Sequence, residues 1–353
     1  MDMRLGASKT AALIGIIITL AAAAALIAVW RLDTSGKRGN RLGQEFNYDL
    51  TKLRKIDPHL IMYEEIFDKI NTGLKDSCGI AAADHDDIYV TGDNAVLIFD
   101  KNGKSIGEIK LNQTPRCLAW ADGQIYLGMK EHVEIYQPDG TQKASWESLG
   151  TDAVLSSISV GRNDVFVADA GNRIVARYDK QGKLINLIGG KNPDKNIPGF
   201  VVPSPYFDLA LAPDGLLRVV NPGRHRIEAY TPDGHLEFWW GNFSTAIEGF
   251  CGCCNPVNFA LLNNDEGFVT CEKGLTRIKI YDAEGKFVAV VAGSDAFSEH
   301  DSICALNGPD CTKGGFDVAV DSQGRILILD PFTGEIRIFT KIKSAVSTEN
   351  TNG

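Results

Sequence analysis

The residues best suited to chemistry in this chain are thiols. Cys251, Cys253 and Cys254 fall within FCGCCNP, and Cys271, Cys304 and Cys311 follow downstream. Clustered thiolates suit zinc, copper(I) or an iron–sulfur cluster, so a thiolate-bound metal is one expectation. Adjacent cysteines at 253 and 254 match no common CxxC spacing, however. With Cys78 and Cys117 the total is eight, an even number that fits disulfides formed outside the cytoplasm. Such bridges would staple loops that have little core of their own. A reactive redox thiol is a third reading, and it needs a positive charge that favours the thiolate; the sequence offers no obvious one.

Oxygen ligands form a second set. Asp208, Asn258 and Asp317 open the short apolar stretches DLAL, NFAL and DVAV. Carboxylate and amide oxygens converging from three strands are what calcium or magnesium would require. Trp239 and Trp240 stand just before the FCGCCNP segment, one suited to packing and the other to a recognition surface. No nucleophile and base stand at a diagnostic spacing, which makes a binding role the first expectation and an enzyme the second.

What positions these residues is a repeat. SISVGRNDVFVADAGNRIVARYDKQG, DLALAPDGLLRVVNPGRHRIEAYTPDG and DVAVDSQGRILILDPFTGEIRIFTK share one pattern of three short apolar strands, and six such units fill the chain. In the first five the third strand ends in a turn with Gly103, Gly140, Gly182, Gly234 or Gly285, where glycine takes the positive φ of a hairpin, and a fourth strand follows. The sixth unit lacks this fourth strand. HLIMYEEIF, His59 to Phe67, precedes the first unit and fits the vacancy, closing a ring and removing an open edge. The expected fold is therefore all-β, a six-bladed propeller over residues 51–340 closed by an N-terminal strand.

Aligning the six first strands puts Gly79, Cys117, Ser157, Asp208, Asn258 and Asp317 around the upper mouth of a central channel. The long connections at 190–207, 241–256 and 293–316 decorate the same face, and all eight cysteines map to it. GNRIVARYDKQG, GRHRIEAYTPDG and TRIKIYDAEG resemble the core of NHL repeats over residues 60–340. That resemblance implies a propeller fold; NHL-type propellers include RNA binders, protein-interaction scaffolds and a few enzymes. Propellers similar in layout, of the gluconolactonase and paraoxonase type, imply a divalent ion at the channel mouth. Amidating lyases, also similar, use channel histidines, and no first strand here carries one.

The remaining signals are global. A net charge of −9 excludes a general grip on nucleic acid. Residues 10–30 carry no charge, a run long enough to cross a bilayer, after a short flank at 1–9. A single transmembrane anchor is expected there, then a polar linker over 31–50 and a frayed tail over 341–353. The expected protein is a propeller tethered to the cell membrane on its outer side, engaging a protein or small ligand through its top face.

Overall fold

A computed structural model describes residues 3–31, 53–195, 199–300 and 315–343. The linker, the tail beyond 343, Cys304 and Cys311 lie outside the described residues. The chain divides into two units, Met1–Leu50 and Thr51–Gly353.

The apolar stretches bounded by turns fold into six four-stranded antiparallel sheets. Their innermost strands are Ser77–Ala82, Cys117–Ala121, Leu155–Val160, Leu209–Leu211, Asn258–Leu261 and Asp317–Val320. Each touches the innermost strand of the blades on either side, and the first touches the sixth. The molecule is thus a six-bladed β-propeller, with its core between successive blades.

The sixth blade is completed by the N-terminal strand Tyr63–Asn71, which pairs antiparallel with Glu335–Lys341. This strand starts four residues later than expected, because Pro58–Leu60 form a short 3-10 turn capped by the Asp57 carboxylate, which accepts the His59 N–H at 3.0 Å. Phe67 takes a φ of 70°, and the register breaks between Ile66 and Ile70. Just before that bulge the closing strand is tied down by Arg337, whose Nε donates to Glu65 at 2.8 Å, while its Nη1 donates to the Ala296 carbonyl at 2.6 Å.

The turn glycines do more than turn. Ile70, Trp146 and Trp240 occupy the space a Cβ would need on Gly103, Gly182 and Gly285 in the following blade, whereas Ile109 and Ile188 would lie in ordinary contact, 3.5 Å from a Cβ on Gly140 and Gly234. Each fourth strand therefore seats one large apolar side chain on the bare turn of the next blade, and Ile70 of the closing strand does so for blade one. The fit is tightest at Gly285, under the Trp240 ring, whereas a Cβ on Gly140 would stand 3.5 Å from Ile109. Gly285→Ala is expected to cost about 2–4 kcal/mol, from the left-handed backbone and the displaced ring together. Gly140→Ala should cost only about 1–2 kcal/mol, the backbone part alone. Urea unfolding of both variants checks this ordering, which equal losses would refute.

The N-terminal unit contains a helix, Met3–Arg31. Its described side chains at 14–27 are exposed. Among the described residues no helix is long and apolar enough to cross a membrane.

Candidate functional site

The six innermost strands enclose a cavity of about 570 Å³ at the channel. The aligned positions converge there as expected: Cys117, Ser157, Asp208, Asn258 and Asp317 all line it. At Gly79 a Cβ would stand 3.0 Å from Leu118 of the next blade, so that position cannot carry a side chain without displacing its neighbour.

These side chains also hold the blades together. Ser157 Oγ accepts the Leu209 N–H of the next blade at 3.3 Å. Asp208 accepts the Phe259 N–H at 2.8 Å, Asn258 donates to the Phe316 carbonyl at 2.8 Å, and Asp317 accepts the Ile80 N–H at 2.9 Å. The second oxygen of each carboxylate accepts the N–H of its own following residue. Four of the six channel positions therefore latch one blade to the next. Among the described residues no group of three or more His, Cys, Asp or Glu side chains is placed to hold a metal ion.

Latching has an electrostatic cost. Burial, with the Asp208 charge adding to it, pushes the Asp317 carboxyl up to about 7. Burial also pushes Asp208 up to about 6, against the hydrogen bonds that favour its ionised form. Between pH 7 and 4 the folded protein thus holds a proton that the unfolded chain has released. Stability therefore rises as pH falls through this window, and the gain is complete below the ordinary aspartate value. Asp317 keeps a partial opening to the channel, so an effect on the order of 2 kcal/mol between pH 8 and 5 is expected. Calorimetry should show a higher Tm at pH 5 than at pH 8, and Asp317→Asn should flatten the slope. A wild-type Tm that is level or higher at pH 8 would count against the buried charges.

The cavity also has walls that sequence alignment did not single out. Arg116, Trp120 and Tyr206 line it. Arg116 precedes Cys117 and Tyr206 stands two residues before Asp208, so both occupy strand entrances just ahead of the aligned positions. Burial raises the Cys78 thiol to about 11 and pushes the Cys117 thiol well above the usual range, which keeps both protonated.

The expected cysteine cluster separates into parts. Cys271 is fully buried in blade five. Cys251 donates its N–H to the Glu272 carboxylate at 2.7 Å, and only Cys253 and Cys254 bring their sulfurs together, at 3.3 Å. All six described cysteines are free thiols, so no disulfide staples the 241–256 insertion among the described residues. Polar side chains of blade five hold it instead. Lys279 Nζ donates to the Ile247 and Gly249 carbonyls at 3.1 and 2.6 Å, and Tyr281 Oη donates to the Glu248 carbonyl at 3.0 Å. Lys279 in turn pairs with Glu272 at 3.0 Å, both side chains wholly buried. Phe250 fills the space beneath, packed on Trp240 and Tyr281.

The tryptophan pair divides its work. Trp240 is buried among Phe250, Phe268 and Tyr281. Trp239 is exposed, with the Arg226 guanidinium 4.4 Å above its ring.

Known structures agree with this architecture. A virginiamycin B lyase from Staphylococcus aureus matches 79% of this chain and 100% of its own at 15% identity and a TM-score of 0.54. A streptogramin B lyase matches 79% of this chain and 98% of its own at 13% identity and a TM-score of 0.54. The WD40 propeller domain of Doa1 matches 75% of this chain and 79% of its own at 14% identity and a TM-score of 0.50. These likenesses show the propeller fold. No protein-family model and no curated protein matches the chain.

Proposed function

We propose that this protein is a binding propeller that takes a small organic ligand into the mouth of its central channel. The observation that carries the reading is the cavity of about 570 Å³ on which all six blades converge, within the size range of ligand sites. Its walls offer both kinds of contact. Trp120 and Tyr206 supply apolar faces, while Arg116, Asp208, Asn258 and Asp317 supply charge and hydrogen bonds. The streptogramin lyases that share the fold include one solved with quinupristin, which makes that compound a natural first probe.

The test is thermal shift against a library of small molecules that includes quinupristin, in parallel on wild type, Ala119→Trp and Ala81→Trp. Both alanines line the cavity, and each substitution fills it from a different blade. Compounds that raise the wild-type Tm should lose their effect in both variants. Equal shifts in all three proteins would move the site elsewhere. The alternative, a divalent cation held by Asp208, Asn258 and Asp317 for an enzymatic step, is favoured by their shared cavity and by the proximity of the two carboxylates. Elemental analysis of the purified protein decides it.

The NHL-type repeat and the membrane tether belong to this proposal as well. The sequence supports the tether through the uncharged run over residues 10–30, and the cysteine content supports an extracytoplasmic propeller. Alkaline extraction of membranes should leave the full chain in the pellet and release one lacking residues 1–50, and protease added outside intact cells should reach the propeller.

A further inference from the structure

We propose that Cys253 and Cys254 form a redox-active dithiol, separate from the channel cavity, that exchanges electrons with disulfides by closing a bond between adjacent residues. Three observations carry this. The two sulfurs stand 3.3 Å apart, already in hydrogen-bond contact. One is accessible and one is not: Cys253 is exposed, whereas Cys254 keeps 1% of its surface. The third is the cation that the sequence did not reveal. Cys254 meets Lys273 and Ser204, and Lys273 Nζ itself donates to Ser204 Oγ at 3.3 Å.

The loop is built to present this pair. Asn255 ties it to the end of blade five's second strand, donating to the Cys251 and Lys273 carbonyls and accepting the Lys273 N–H at 2.9 Å. His225 Nε2 meets the Gly252 carbonyl at 2.6 Å from blade four. The sulfurs are thus fixed relative to Lys273. Burial works to raise the Cys254 thiol, but the hydrogen bonds from Ser204 and Lys273, with the lysine's charge, outweigh it and bring it below the ordinary value. Burial and the contact with Cys254 raise Cys253. Cys254 is thus the more readily ionised of the two, and the exposed Cys253 holds its proton more tightly.

The exchange takes two successive thiolate attacks. Starting from the pair with Cys254 ionised, the Cys254 thiolate takes the Cys253 proton, and the Cys253 thiolate attacks one sulfur of an external disulfide, R–S–S–R. Its S–S bond breaks, a Cys253–S–S–R mixed disulfide forms, and the first R–S⁻ leaves and collects the proton from Cys254. The Cys254 thiolate then attacks the Cys253 sulfur, expelling the second R–S⁻. Two electrons pass from the pair to the external disulfide, which is reduced to R–SH and R–S⁻. Adjacent Cα atoms lie about 3.8 Å apart, closer than the roughly 4.4–6.8 Å of ordinary disulfides. Such a strained bond is readily reduced, which suits reversible exchange and not a staple.

The test uses the full chain equilibrated in mixtures of reduced and oxidised glutathione, quenched with acid and alkylated, with the FCGCCNP peptide read by mass spectrometry. Wild type should lose two hydrogens in this peptide as oxidised glutathione rises, and regain them when reduced glutathione is restored. Cys254→Ser should trap glutathione on Cys253, and Cys253→Ser should carry none. Lys273→Met should slow ring closure about threefold or more, because the smaller thiolate fraction is only partly offset by higher nucleophilicity, so that the mixed disulfide accumulates. Ser204→Ala should slow the same step and serves should Lys273→Met fail to fold. A wild-type pair still reduced in excess oxidised glutathione, or a Cys254→Ser protein without glutathione, would overturn the proposal. So would ring closure at an unchanged rate in both Lys273→Met and Ser204→Ala.

Discussion

A chain shortened to begin at Thr72 is expected to leave a sizing column as aggregate and to show no cooperative unfolding transition. Its sixth blade would keep three strands, with the edge of Glu335–Lys341 bare of the hydrogen bonds that Tyr63–Asn71 supplies. Bare strand edges of this kind recruit other chains. The same cut uncovers Ile336, Ile338 and Phe339, against whose clusters Tyr63, Ile66 and Ile70 pack. It also removes the Glu65 partner of Arg337 and the Ile70 side chain seated on Gly103. A synthetic peptide of residues 58–72, added during refolding, should restore a soluble species by strand addition. A stable monomer from the shortened chain alone would show that the closing strand is dispensable.

The second large effect is expected at Lys279. Lys279→Met leaves the Glu272 carboxylate buried without its cation and frees the Ile247 and Gly249 carbonyls, so a loss of about 3–5 kcal/mol follows. The damage should be local first. Hydrogen exchange over 242–256 should rise well beyond that of the other blades, because the insertion loses its main tie. The double variant Lys279→Met, Glu272→Leu should recover part of the stability, since neither charge then remains buried. A cost for Lys279→Met below 1 kcal/mol by urea titration would mean that the pair is solvated in solution.

Sequence and structure agree where local chemistry decides the outcome. The turn glycines and the alternating apolar strands carry their geometry in each unit, and six copies make the ring legible. Asp208, Asn258 and Asp317 were legible for the same reason, since identical register places them at one channel mouth. Their latching to the next blade was only weakly visible, because the partner is a backbone N–H or carbonyl with no residue signature. The closing strand was found in kind and misplaced by four residues, since Pro58 and the bulge at Phe67 shift the pairing after local propensity has been spent.

The insertion was misread for a different reason. In RIKIY, residues 277–281, Arg277, Lys279 and Tyr281 alternate with isoleucines and make one face of the strand polar. The 241–256 segment folds over that face, which turns an apparently wet lysine into its anchor. An even cysteine count likewise suggested bridges, but parity says nothing of where the chain places each sulfur.

One consequence follows from the pairing that closes the ring. Tyr63 lies opposite Lys341 and Asn71 opposite Glu335, so both ends of the propeller chain leave the same corner of one blade. A force pulling these two ends apart would peel the seam open one rung at a time, at low load. A force applied between the N-terminal end and an occupant of the channel would spread through the ring and strain many rungs together. The seam would then yield readily to one direction of tension and resist the other, which gives a protein pulled by its end a built-in sense of where the pull comes from.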